Sequence, residues 1–315
     1  MRPNLNELYE AAHRIKPYVH RTPVITCESL DRQTGAQVFL KCENLQKGGA
    51  FKFRGACNAV LCLPEEDSAA GVCTHSSGNH AQALALAAKL RGVPAHIVMP
   101  NTSAQVKKDA VAGYGGHITF CAPTLEARES TLEEIRRETG ATFIHPYDNE
   151  RVIAGQGTAA LELLQDVPDV DAIIAPVGGG GLLSGTALAA SKDRPGIRVY
   201  GGEPEMADDA FRSIEAGRII PSENPKTIAD GLLTSLGELT FPIIQQHVER
   251  IVTVSEAGIV ASMRFIWERA KLIIEPSSAV AVAVLWERKI DLRGTKVGVI
   301  ISGGNVDLNR LPWQS

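Results

Sequence analysis

Apolar positions along this chain follow two alternating rhythms. From residue 70 onward, short β-branched runs are separated by longer Ala/Leu-rich segments with helical spacing. Residues 72–75, 96–99, 118–121 and 142–145 read as strands, and residues 79–90, 104–112 and 125–138 between them as helices. A second set begins after His145-Pro146-Tyr147-Asp148, with apolar runs at 172–177, 199–202, 251–254 and 297–301. Such β-α-β alternation predicts parallel sheet with helices on its faces. The runs are short and end in Gly, Pro, Asn or Ser, the pattern of strands buried on both sides that finish in ligand-binding loops. Turn-rich stretches at 64–67 and 146–149 mark crossings between layers. They predict a small domain of residues 65–148 inserted in a large one formed by 1–64 and 149–315.

The 315 residues carry 32 Lys+Arg against 36 Asp+Glu, a net charge of −4, and no basic block. Nucleic acid and anionic membrane both need a concentrated basic face, so a small-molecule substrate is expected instead. The apolar stretch at 279–286 falls far short of the ~20 residues of a membrane-spanning helix, and the first ten residues are polar. All six cysteines lie in the first 121 residues without a C-x-x-C pair. They read as free thiols of a cytoplasmic protein.

Four glycines, Gly178, Gly179, Gly180 and Gly181, follow the run at 172–177 and lead through Leu182 into an Ala-rich helix. Convergent backbone amides and a helix N-terminus make this a phosphate cup. It matches neither G-x-G-x-x-G nor the Walker pattern, which points to a phosphorylated cofactor other than a nucleotide. A lysine able to hold an aldehyde is then the thing to find. Lys52, between Phe51 and Phe53, sits where desolvation favours the neutral amine, although a lysine so placed is usually one that snorkels from a helix. Ser76-Ser77-Gly78-Asn79-His80 opens a helix after the 72–75 strand, either as a plain capping turn or with amides toward a carboxylate. Ser302-Gly303-Gly304-Asn305 ends the 297–301 strand, so all these stretches lie where open α/β sheets bind ligands.

Taken with Ala154-Gly155-Gln156-Gly157-Thr158, these motifs occur in the order of a known family. The chain closely resembles the fold type II pyridoxal-5'-phosphate (PLP) enzymes, in the serine/threonine dehydratase and serine racemase branch, from His20 to Leu308. The resemblance implies a two-domain, tryptophan synthase β-like α/β fold of parallel-rich twisted sheets flanked by helices. It makes Lys52 the Schiff-base lysine, Gly178 to Leu182 the phosphate loop, and Phe51, Asn79, Glu275 and Ser302 further cofactor contacts. Asn79 then lies by the 3'-oxygen and Ser302 at the pyridine nitrogen. Ser76, Ser77, Gly78, Asn79 and His80 surround the substrate carboxylate, with Ser77 on the face opposite Lys52 as a second acid-base group. A divalent-cation site, for Mg²⁺, Ca²⁺ or Mn²⁺, is implied at Glu203, the Ala207 carbonyl and Asp209; the alternative there is an acidic helix start.

The implied activity is that of an ammonia-lyase converting a small β-hydroxy amino acid, such as L-serine or L-threonine, to a 2-keto acid and ammonia, in a homodimer. Serine racemisation and threo-3-hydroxyaspartate elimination are the alternatives on the same scaffold. A non-catalytic phosphate-ligand binder is the alternative from another class. Many relatives carry Thr and Ser where Gly48 and Ala50 stand, and Tyr147 replaces an asparagine of the vertebrate-type racemases, which leaves substrate choice open. Only seven residues follow Leu308, so no C-terminal regulatory domain and no feedback through one is expected.

Overall fold

A computed structural model of the chain describes residues 3–76, 78–103, 105–191 and 196–314, with Val106 in backbone only. Among the described residues ten strands run in chain order: β1 (Val24–Thr26), β2 (Gln37–Cys42), β3 (Val72–His75), β4 (Ala95–Pro100), β5 (His117–Cys121), β6 (Thr142–Phe143), β7 (Ala172–Pro176), β8 (Arg198–Pro204), β9 (Arg250–Val254) and β10 (Lys296–Ile301). The helices between and around them are α1 (Leu5–Ile15), α2 (Glu28–Thr34), α3 (Lys52–Leu61), α4 (Glu65–Ser68), α5 (Asn79–Arg91), α6 (Gln105–Gly113), α7 (Leu125–Thr139), α8 (Glu150–Asp166), α9 (Gly181–Ser191), α10 (Asp209–Ala216), α11 (Thr240–His247), α12 (Glu256–Phe265) and α13 (Pro276–Trp286). One sheet has the order β1-β2-β10-β7-β8-β9, parallel except for β1, and the other the all-parallel order β5-β4-β3-β6.

The large sheet is buried on both faces, as its apolar runs require. Leu40, Ile174 and Val299 point into a core shared with α13, whereas Ile173, Val199 and Ile300 point into one shared with α8 and α9. α13 is apolar all round, Pro-Ser-Ser-Ala-Val-Ala-Val-Ala-Val-Leu-Trp, because protein surrounds it on every side. The smaller sheet draws Phe53, Ala56 and Val60 of α3 into its own core. α3 therefore packs with a sheet that lies beyond the turn at residues 64–67.

β1 and β2 escaped the pattern of apolar runs. β2 carries Lys41, an interruption in sequence that is a buried partner in space: its Nζ donates to Glu162 Oε2 and to the Thr22 carbonyl, both at 2.7 Å. β6 is shorter than expected, since Pro146 has no N–H for a ladder and the His145 Nδ1 instead accepts the Asp148 amide at 2.8 Å to turn the chain.

Arg54 anchors α3. Its Nε and Nη2 form a two-pronged pair with Glu43 at 2.7 and 2.8 Å, and its Nη1 and Nη2 each reach Glu162 at 2.8 Å. Burial alone raises the Glu162 pKa, but Arg54 and Lys41 hold it below the usual carboxylate range. The first turn of α3 is thus fixed two residues after Lys52.

The Gly-Gln-Gly stretch of α8 has a packing role. A Cβ on Gly155 would lie 2.6 Å from the Arg54 carbonyl oxygen and 2.7 Å from the Gly55 Cα, and one on Gly185 would lie 2.5 Å from the Gly157 amide nitrogen. α8 consequently touches α3 and α9 backbone to backbone. Gly155→Ala should cost about 1–3 kcal/mol in urea unfolding, because the obstructing atoms are main chain. Gly113→Ala, which meets nothing within 4 Å, should stay within about 0.5 kcal/mol. Equal midpoints for the two variants would refute the close-approach account.

Candidate active site

Four loops at strand ends converge between the two sheets. Lys52 opens α3, and its Nζ donates to the Pro146 carbonyl at 2.9 Å and lies 5.2 Å from the Phe51 ring centroid. Burial pulls the Lys52 pKa down to about 8, against the Glu275 charge, which raises it. Glu275, at the N-cap of α13, is buried, and its two oxygens accept from Asn79 Nδ2 at 2.8 and 3.1 Å. Burial first, then Asp230, pushes the Glu275 carboxyl up to about 7. Asn305 closes this network by donating its Nδ2 to Asn79 Oδ1 at 2.9 Å and to the Gly48 carbonyl at 2.8 Å.

On the other side, the Ser302 and Ser278 hydroxyls meet at 3.0 Å, both buried. The Ser302 carbonyl accepts the Phe51 amide at 2.9 Å, tying the strand-end glycines to the lysine segment. Ser76 lies at the end of β3, where its hydroxyl accepts the Gly78 amide at 3.3 Å. Ser77 lies outside the described residues. His80 is buried with Nε2 3.2 Å from the Ile144 carbonyl, and burial lowers its pKa to about 3. Its imidazole is committed to the protein interior, which leaves its place at the helix start to face a ligand.

Gly178, Gly179 and Gly180 run between β7 and α9, and Gly181 and Leu182 form the first turn of that helix. All five are buried, yet among the described residues their amides donate no hydrogen bond. Buried N–H groups are rarely left so, and a cluster of them at a helix N-terminus fits a phosphate group. A Cβ on Gly179 would collide with the Tyr147 ring, so the consecutive residues Pro146 and Tyr147 connect the Lys52 amine to this cradle. The lysine, the cradle and the paired hydroxyls suit a phosphorylated aldehyde. Sequence reasoning noted Pro146, Tyr147 and Asp148 as a crossing between layers and Tyr147 as a departure; it gave Pro146, Asp148 and Thr240 no part in the site, because their contacts are through space.

Glu203 and Asp209 are both 1% exposed and close enough that the Asp209 charge helps to raise the Glu203 pKa, which burial sets well above its ordinary value. Glu203 accepts the Ala210 and Phe211 amides at 2.8 and 2.7 Å, and so does cap α10. Neither Asp209 oxygen has a partner at hydrogen-bond geometry, although the nearby Ser222 hydroxyl lowers the carboxyl pKa against the effect of burial. Burial moves the Asp209 carboxyl up to about 6. Ala207 is buried in the loop before α10. Among the described residues no three His, Cys, Asp or Glu side chains come together as a metal cluster, and no helix is long and apolar enough to cross a membrane.

A lysine with this pKa gives a first test. In the cofactor-free protein, acylation of Lys52 followed by peptide mass spectrometry should rise with a midpoint near pH 8 and not near the usual 10.4. Glu275→Gln should lower that midpoint, because it removes the neighbouring anion that favours the ammonium. A midpoint at or above 10 contradicts the buried-amine account.

The model of the family described as pyridoxal-phosphate dependent enzyme matches residues 15–303. The chain is 51% identical over 311 residues to beta-hydroxyaspartate dehydratase of Paracoccus denitrificans, with 99% of each chain covered. It is 50% identical over 311 residues to serine racemase of Arabidopsis thaliana, covering 97% of this chain and 94% of that one. The solved serine racemase of Dictyostelium discoideum superposes with a TM-score of 0.93 at 50% identity, over 97% of this chain and 99% of that one.

Proposed function

Because this chain belongs to the fold type II pyridoxal-phosphate dependent enzymes, among the amino-acid ammonia-lyases and racemases, we propose that it removes the β-hydroxyl of a small amino acid such as L-serine or L-threonine, yielding a 2-keto acid and ammonia. The supporting observation is the Lys52 amine with a pKa near neutrality, one residue pair away from a cradle of unpaired amides. Bound pyridoxal phosphate supplies an electron sink for the charge left at the α-carbon. Gly178 to Leu182 would hold its phosphate, Asn79 would serve its 3'-oxygen, and Lys52, flanked by Phe51, would carry it. Lys52 Nζ would take the α-proton, and the burial that pulls its pKa down favours the neutral base that this step needs. Ser302 offers the ring nitrogen a neutral hydroxyl, steadied by Ser278, in place of a carboxylate; weak protonation there suits elimination over transamination. The segment Ser76 to His80 that leads into α5 would bind the substrate carboxylate, with Ser77 as the acid-base group for the opposite face.

Elimination from 3-hydroxyaspartate is the second reading, favoured by the identity to the Paracoccus dehydratase. The purified protein should be yellow, and borohydride should fix the cofactor to Lys52 in peptide maps. A panel of L-serine, L-threonine and threo-3-hydroxyaspartate, assayed for ammonia and keto acid beside chiral analysis of unconverted serine, then ranks the reactions. Label on another lysine takes the Schiff base away from Lys52, and a colourless protein that releases no ammonia removes the proposal in favour of a phosphate-ligand binder.

We also infer that Glu203, the Ala207 carbonyl and Asp209 hold a divalent cation, for which a buried carboxylate with two unpartnered oxygens is the support. Such a cation neutralises two buried charges and binds the native state alone. Millimolar Mg²⁺ should raise the melting temperature of the wild type but not of Asp209→Asn. The same rise in both would reduce the pair to a helix cap.

A further inference from the structure

Asp148 makes contacts that neither the lysine segment nor the glycine loop accounts for. Its carboxylate accepts the amides of Glu238 at 3.1 Å, Leu239 at 2.8 Å and Thr240 at 3.3 Å, which saturates the start of α11. Thr240, buried at that start, donates its hydroxyl to the Gly179 carbonyl at 2.8 Å and accepts the Gly237 amide at 2.8 Å. Its own carbonyl accepts the Ser184 hydroxyl of α9 at 3.4 Å. Two helix starts thus lie side by side: α11 has its amides taken by Asp148, whereas α9 leaves its amides open.

Peptide planarity converts the Thr240 contact into an aim. In a trans peptide the N–H points opposite the C=O, so holding the Gly179 carbonyl toward Thr240 turns the Gly180 amide to the other side of the loop. A glycine chain left to itself has wide freedom in that orientation. We propose that Asp148 and Thr240 are positioning residues that aim the amides of the glycine cradle at the phosphate, acting through the Gly179 carbonyl. This rests on the reading of the cradle as the pyridoxal phosphate site.

The test titrates cofactor-free protein with pyridoxal phosphate, with inorganic phosphate in competition, and with pyridoxal, which lacks the phosphate. Thr240→Val keeps the shape and loses the hydroxyl, so affinity for pyridoxal phosphate and for phosphate should each fall about tenfold, the size of one net hydrogen bond. Affinity for pyridoxal should be unchanged, an outcome that a general loss of structure does not give. Thr240→Ser should restore wild-type binding, and Asp148→Asn should show a smaller phosphate-selective loss. Asp148→Asn carries the same comparison if Thr240→Val does not fold. Unchanged affinity for pyridoxal phosphate in these variants, or equal losses for both aldehydes, overturns the proposal. A wild type that takes up neither pyridoxal phosphate nor phosphate overturns the cofactor reading beneath it.

Discussion

The site depends on three helices that meet through glycines. α8 touches α3 at Gly155 and α9 at Gly157, at distances that leave no room for a Cβ. α3 starts with Lys52 and α9 starts with the glycine cradle, so this crossing sets the separation of the two groups that a phosphorylated aldehyde must span. A single methyl group would act as a wedge between them, because the atoms it meets are backbone and have no rotamer to escape into. The same crossing brings Thr158 of α8 to Arg54, 3.2 Å from its Nη1, where the buried ionic group holds α3 in rotation as well as in distance.

Charge is handled differently in the frame and in the site. In the frame, Arg54 and Lys41 are matched against Glu43 and Glu162, each with hydrogen bonds, the condition under which buried charges are tolerated. In the site, burial drives the groups toward neutrality: Lys52 and Glu275 approach neutral pH from opposite sides, and burial lowers His80 and His145. A cleft in which burial weakens the charge of the side chains leaves more of the task of holding a phosphate and a carboxylate to the backbone amides.

Much of this was legible along the chain, since doubly buried strands write themselves as mainly apolar runs: β3, β4, β7 and β10 are such runs, and the glycine loop follows β7 as the pattern requires. β2 was not legible because Lys41 breaks its run, and only the distant Glu162 makes that lysine acceptable in a core. The stretch around Gln156 was visible as a match to a family motif, whereas its meaning as a helix crossing needed Gly55 and Gly185 beside it. Asp148 and Thr240 lie 92 residues apart and belong to different elements, so no local signal joins them.

The Lys52 amine rests on the carbonyl of Pro146, a group that every amino acid presents equally. No single exchange of side chain can delete that acceptor. The basicity of the lysine is therefore adjustable only from its flanks, through the charge on Glu275 or through the depth of burial, while its resting direction is written into the course of the main chain. A lineage that drifts in substrate preference can vary the residues around this contact and keep the amine where it is.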